Sequence, residues 1–359
     1  MIRTAHRPAV RTAAAAMLPL LIFCLLAAHA ADTAAVTADR MRLCLETLIP
    51  SLFGCMAAAN LLTGTGAAAW LGMRLSWLAR LLHLPPELLT VFLVSQIAGY
   101  PVGTMLLRQM VRAGRLDAQS AGQYACICFG GGPAFAVGFA GCRMFGRASV
   151  GWMMLGGCIL ANIILLLLRP KPDLSEPAPP QVHLSAEALP DAVTAAMRSL
   201  TAVCGMVLCF GLLMLLCDLL GITALLVRLG GLFGLSEQRV RALMLALSDI
   251  TQMQKLLRCG FPLRLLIALS GALLSFGGIC VHLQCRALSG GFVRMRHLLC
   301  VRLSAAALTF LILYVLSGFF DTDDAAAVLA FPAAVSRSGS LLPAILIFCT
   351  GFPFLIKKD

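Results

Sequence analysis

Long apolar runs broken by short polar or glycine-rich stretches make up most of this chain. A hydrocarbon core is crossed by about 20 consecutive apolar residues. Runs of roughly that length lie near residues 42–64, 88–112, 121–145, 149–168, 200–220, 241–257, 263–284, 297–319 and 341–356. An earlier apolar stretch, 13–28, follows Arg3, Arg7 and Arg11 and ends in Ala28-His29-Ala30. A basic start, an apolar middle and small residues at the end describe a signal peptide. A retained first transmembrane helix fits the same residues equally well. Either way the basic end stays in the cytoplasm and residues 31–40 emerge outside.

Two of the runs contain residues that a lipid-facing helix avoids. "SQIAGYPVGTM" (residues 95–105) places Gln96, Gly99, Tyr100, Pro101 and Gly103 in one run, and "FGGGP" places Gly130, Gly131, Gly132 and Pro133 in the next. Unsatisfied backbone groups in hydrocarbon cost on the order of several kcal/mol each, so irregular backbone survives there only inside protein or beside a cavity. Glycine permits close approach and unusual dihedrals, and proline removes a donor. Both stretches are therefore expected to be helix breaks whose free amides and carbonyls face something polar. Close helix packing through the glycines is the competing reading.

Between residues 169 and 191 the pattern stops. "RPKPDLSEPAPPQVHLSAEALPD" has six prolines and reads as an extended linker. The stretches on either side of it match in order: a long apolar helix, a shorter amphipathic stretch, then two interrupted runs, offset by about 153, 150 and 147 residues. Internal duplication explains this spacing and is common in transporters. The expected organisation is residues 1–40 as signal peptide or first helix, 41–168 and 192–285 as two repeats, 169–191 as linker, and 286–359 as C-terminal helices. The fold class is an all-α polytopic membrane protein with two inverted repeats, broken or re-entrant helices and about eight to ten membrane segments. The arginines fit this orientation except for Arg228, Arg239, Arg241, Lys255, Arg258 and Arg264, which would fall near the outer face.

In the second repeat the interruptions are "LALSDITQM", with Ser248, Asp249, Thr251 and Gln252, and Gly277-Gly278. A carboxylate centred in an apolar run is a functional candidate by default. An interfacial pair with Arg241 or Lys255 is the alternative. His282 and Gln284 are weaker candidates. Ser51 and Asn60 either face the cavity or bond a neighbouring helix.

Composition agrees with this pattern. The chain is 60% hydrophobic and 12% charged, against roughly 45–50% and 25% in soluble domains; its mean hydropathy is +0.92. The net charge of +12 comes from arginines at the ends of apolar runs, with no basic block interleaved with aromatics, so nucleic acid is not an expected partner. Fifteen cysteines form no CxxC pair, which argues against a metal or disulfide framework. No GxSxG, HExxH or P-loop is present, and no enzyme is expected.

"IPSLFGCMAAANLL", "GYPVGTMLLRQMVRAGRLDAQSA", "CFGGGPAFAVGFAGCRMFG" and "SFGGICVHLQ" resemble the YlbJ-type sporulation integral membrane proteins, which carry duplicated nucleoside-recognition (Gate) domains. The resemblance covers roughly residues 48–285. It departs at Gly131, where the family commonly has Asn. It departs again at Asp249-Ile250-Thr251-Gln252-Met253, where the family reads Glu-Ile-Thr-Asn-Gly. It implies a fold similar to the core of concentrative nucleoside transporters, a bacterial cytoplasmic or forespore membrane, and delivery of a small aromatic dicarboxylate, dipicolinate. The expected function is thus a sporulation-associated permease for a small anionic or heteroaromatic solute. A non-transporting scaffold for spore formation is the alternative. The bilayer and the solute are the expected partners, a homo-oligomer is left open, and nothing beyond a coupling proton or sodium ion is called for as cofactor.

Overall fold

The computed structural model describes residue 17 and residues 19–169, 182 and 185–319. The basic N-terminus, most of the proline-rich linker, the acidic residues 321–324, the run 341–356 and the C-terminal lysines lie outside the described residues. Among the described residues there is no strand. Five helices, Ala30–Gly64, Ala148–Leu167, Ala188–Leu219, Leu263–Leu288 and Met295–Leu316, are long and apolar enough to cross a membrane. The architecture is that of an all-α polytopic membrane protein.

The chain opens with α1 (Pro19–Ala28), turns at His29 and continues as α2 (Ala30–Gly64). Residues 31–40 are helical and continuous with the next run. Nothing there breaks a helix: the stretch is rich in alanine, the best helix former. Pro50 does perturb α2, because it has no amide to donate. The turn before it, Cys44–Leu48, is π-helical, with the Ile49 amide reaching back five residues to the Cys44 carbonyl.

Gly66, in the left-handed region at φ 75°, turns the chain into two short helices, α3 (Ala67–Arg74) and α4 (Ser76–Leu81). Trp77 and Leu81 on α4 are exposed. The run 88–112 then divides into α5 (Pro86–Ala98) and α6 (Val102–Arg112). The run 121–145 divides into α7 (Ala118–Tyr124) and the π-helical α8 (Ala134–Met144), followed by α9 (Ala148–Leu167). Asp117 caps α7 by accepting from the Ser120 amide at 2.8 Å, and bonds from the Ser120 hydroxyl and amide hold its carboxyl below the ordinary range.

After the linker the same order of elements appears again. A long helix, α10 (Ala188–Leu219), is followed by Gly221 at φ 72° and a short helix, α11 (Ile222–Leu232). The run 241–257 divides at Asp249 into α12 (Glu237–Ser248) and a 3₁₀ helix, Ile250–Cys259. The run 263–284 divides into α13 (Leu263–Phe276) and α14 (Gly278–Leu288), and α15 (Met295–Leu316) closes the described chain. Every interrupted run of the sequence is thus broken in the structure, into pieces mostly shorter than a spanning helix.

Packing places these broken elements inside. The segment Leu263–Leu288 is 78% buried, whereas the other four spanning helices are 22–50% buried and show apolar side chains outward. α13 packs against α15 and α9, α10 against α2 and α14, and α14 against α6 and α12. Leu313 of α15, fully buried, fits between α9 and α13 where Gly157 and Gly271 leave room for it.

Gly103 marks a close crossing of backbone on backbone. A Cβ there would lie 2.0 Å from the Cys128 carbonyl oxygen, which no rotamer change can relieve. Gly103→Ala should therefore cost about 1–3 kcal/mol and lower the thermal unfolding midpoint in detergent. Gly54→Ala, where a Cβ meets nothing within 4 Å, should leave the midpoint unchanged or slightly higher.

Candidate functional site

The four interruptions meet. A Cβ on Gly132 would come within 2.7 Å of the Ile97 carbonyl and 3.1 Å of the Gly99 amide, so the 129–133 break lies directly on the 99–101 break. Gly277, at φ 86°, sits under the Phe129 ring, where a Cβ would be 2.6 Å away. Gly278, at φ 78°, would bring its Cβ within 3.1 Å of the Ile250 amide, just after Asp249. Only glycine combines that dihedral with that approach. Residues 99, 132, 249 and 277, far apart in sequence, therefore share one region of the interior.

Two buried arginines hold this region together. Arg302 of α15 is fully buried; its Nη1 donates to the Cys126 carbonyl at 2.8 Å and to Asn162 Oδ1 at 2.9 Å. Its Nη2 donates to Ser275 Oγ at 3.1 Å, and its guanidinium lies 4.7 Å from the centre of the Phe129 ring. Asn162 in turn donates to the Phe129 carbonyl at 2.9 Å and to Gln96 Oε1 at 3.0 Å. Gln96 donates to Ser95 Oγ at 3.0 Å and to the Ile127 carbonyl at 3.4 Å. Three carbonyls freed where α7 ends, those of Cys126, Ile127 and Phe129, thus find donors within one network. A cation beside the carbonyl end of a helix is also electrostatically favourable.

The second arginine is Arg40 of α2. Its Nη1 lies 3.2 Å from Asp249 Oδ2, and both side chains are about nine-tenths buried. Gly211 on α10 makes room for it, since a Cβ there would be 2.7 Å from Arg40 Cγ. The other Asp249 oxygen, Oδ1, accepts the Thr251 amide at 3.0 Å and so caps the 3₁₀ helix. Asp249 is therefore a buried ion-pair partner of Arg40, and neither Arg241 nor Lys255, the partners of the interfacial alternative, pairs with it. Arg241 instead pairs on the surface with Glu237 and Asp218.

A cavity of about 70 Å³ lies beside this pair, with Ser51, Tyr100, Gly131, Gly132, Asp249, Thr251 and Gln284 among an otherwise apolar lining. Asp249 is its one lining carboxylate. The volume admits a few waters and falls below the roughly 300–1,000 Å³ of pockets for drug-sized ligands. Of the sequence candidates, Ser51, Tyr100, Gly131, Gly132, Asp249, Thr251 and Gln284 reach the cavity. The Tyr100 hydroxyl is committed to the Leu274 carbonyl. Gln96, Gly99, Gly103, Gly130, Gly277 and Gly278 build the surrounding wall through the contacts above and against Gln96 itself. Pro101, after a cis peptide bond, and Pro133 each precede a helix start. Ser248 donates to the Met244 carbonyl and Gln252 to Thr251 Oγ1. His282 sits between Phe129 and Phe276 with Nδ1 2.6 Å from the Gly278 carbonyl, a structural position. Asn60 joins helices, donating to the Ala192 carbonyl and accepting from Gln109.

Arg40, Asn162 and Arg302 were not among the sequence candidates. A signal for them existed: Arg302 is the lone acid or base between His297 and Phe320, and Asn162 is the lone amide of the run 149–168. Polar residues isolated inside spanning runs face the protein interior by default. Compared with protein-family models, with curated proteins and with solved structures, the chain matches none.

Replacing Asn162 by Leu removes the centre of the network and leaves Gln96 Oε1, the Phe129 carbonyl and one Arg302 N–H unpaired. The expected loss is about 3 kcal/mol, read as a lower unfolding midpoint in detergent, with the midpoint of a surface variant as reference. A midpoint unchanged by Asn162→Leu would show that the network contributes nothing net.

Proposed function

We propose that the protein is a membrane permease that holds a small solute at the Asp249 cavity. The observation that carries this reading is the convergence of four helix interruptions around a cavity with a single carboxylate in its wall. Broken helices facing each other inside a bundle supply the free backbone ends from which transporter sites are built. The repeated order of elements, with a left-handed glycine at residues 66 and 221 opening the short helix of each half, supports two Gate-type repeats, which we take to be inverted. The resemblance to YlbJ-type proteins adds the sporulation setting, the bacterial membrane and an anionic or heteroaromatic solute such as dipicolinate.

The cavity is too small for such a solute as it stands, so transport requires it to widen. The elements around it are joined by the Arg40–Asp249 pair, which links the first helix of one half to a break in the other. Solute entry would loosen this pair: an anionic group of the solute would take Arg40, and Asp249 would take a proton or a sodium ion in its place.

Uptake into proteoliposomes, with dipicolinate and nucleosides compared, tests the reading. Asp249→Asn should abolish uptake with membrane insertion intact. Because that variant leaves Arg40 buried without its counter-ion, the pair Arg40→Gln with Asp249→Asn controls for folding: it should unfold like the wild type and still not transport. Wild-type uptake of neither solute class, or unchanged uptake in Asp249→Asn, would overturn the proposal.

A further inference from the structure

A second, larger hollow of about 320 Å³ lies between α6, α10 and α14, lined by Met105, Arg108, Arg112, Arg198, Ser199 and Leu288 together with Gln109 and Ala195. Three guanidinium groups border it and no carboxylate does. Two arginines elsewhere pair with acids, Arg115 with Glu87 and Arg241 with Asp218 and Glu237, while Arg239, Arg264 and Arg286 bond carbonyl oxygens. Among the described residues Arg108, Arg112 and Arg198 form no ion pair; Arg108 only donates to the Leu288 carbonyl at 3.2 Å, which fixes its position and leaves its other N–H groups free.

The hollow also lies in line with the Asp249 cavity. Ser199 and Val203, on α10, border one and the other, as do Leu288 and Gln284 on α14. Each pair is four residues apart, so the two spaces are separated by about one helical turn, roughly 6 Å, along the same seam. In the wall of the hollow the Ser199 hydroxyl donates to Met105 Sδ at 3.2 Å.

We propose that this hollow binds a small anion, a phosphate or a dicarboxylate, and serves as the vestibule of the Asp249 cavity. Planar guanidiniums from two helices suit two-oxygen anionic groups, and a cleft of one sign concentrates such ions. The vestibule role rests on the permease reading; anion binding does not. The ligand's anionic group is carried either by a free solute or by a lipid headgroup at a basic pocket between helices.

Equilibrium binding of labelled inorganic phosphate and succinate to the full chain in neutral-lipid nanodiscs tests the site without transport. Binding should weaken with salt and fall about tenfold or more in Arg108→Gln/Arg112→Gln/Arg198→Gln, while Gly54→Ala, whose added Cβ meets nothing within 4 Å, retains it. Competition by phosphatidylglycerol nanodiscs would assign the site to a headgroup, and lack of competition to a solute; both support an anion site. Equal binding by the wild type and the triple variant in every lipid would overturn it. Lost binding with no uptake of any solute by the wild type would keep the anion site and remove both its vestibule role and the permease reading.

Discussion

A helix broken inside an apolar body leaves backbone groups that must be satisfied there. That requirement organises this structure. The chain leaves the helix between α7 and α8, and the carbonyls of Cys126, Ile127 and Phe129 take donors from Arg302, Gln96 and Asn162. These donors come from α15, α5 and α9, so the break can exist only when helices from both halves are packed around it. The 3₁₀ segment after Asp249 depends on the same logic, with one carboxylate oxygen on a backbone amide and the other on Arg40.

The two arginines solve different electrostatic problems. Arg40 is neutralised by a carboxylate, whereas Arg302 is held by carbonyl, amide and hydroxyl oxygens and by the face of Phe129. Burying a guanidinium is costly, and no carboxylate pairs with Arg302 among the described residues. The compensation comes from oriented dipoles, those at the carbonyl end of α7 above all. A region held by dipoles changes little in net charge when a solute enters beside it; a region held by an ion pair must exchange one partner for another. The first suits a fixed frame and the second a moving part.

The breaks were legible in the sequence because glycine and proline have local consequences. "AGYPVG", "FGGGP", Asp249 and Gly277-Gly278 all interrupt helices at the expected places. Their partners were less legible. One arginine or asparagine barely lowers the hydropathy of a twenty-residue run, and the contacts that give it meaning join residues 66 to 209 positions apart. The helical form of 31–40 follows from composition: its alanines carry no stop signal, and Arg40 packs against α10.

The π-helical turn at Cys44–Leu48 gains a meaning from these contacts. Each residue advances an α-helix by about 100°, and a π turn accommodates one residue more than an α turn. The side chains before the turn are therefore out of phase with those after it by about that angle. On one side of this offset Arg40 points toward Asp249; on the other, Ser51, Leu52 and Cys55 face the cavity. The widened turn acts as a phase shifter, letting one helix present its clamp and its wall to the same site.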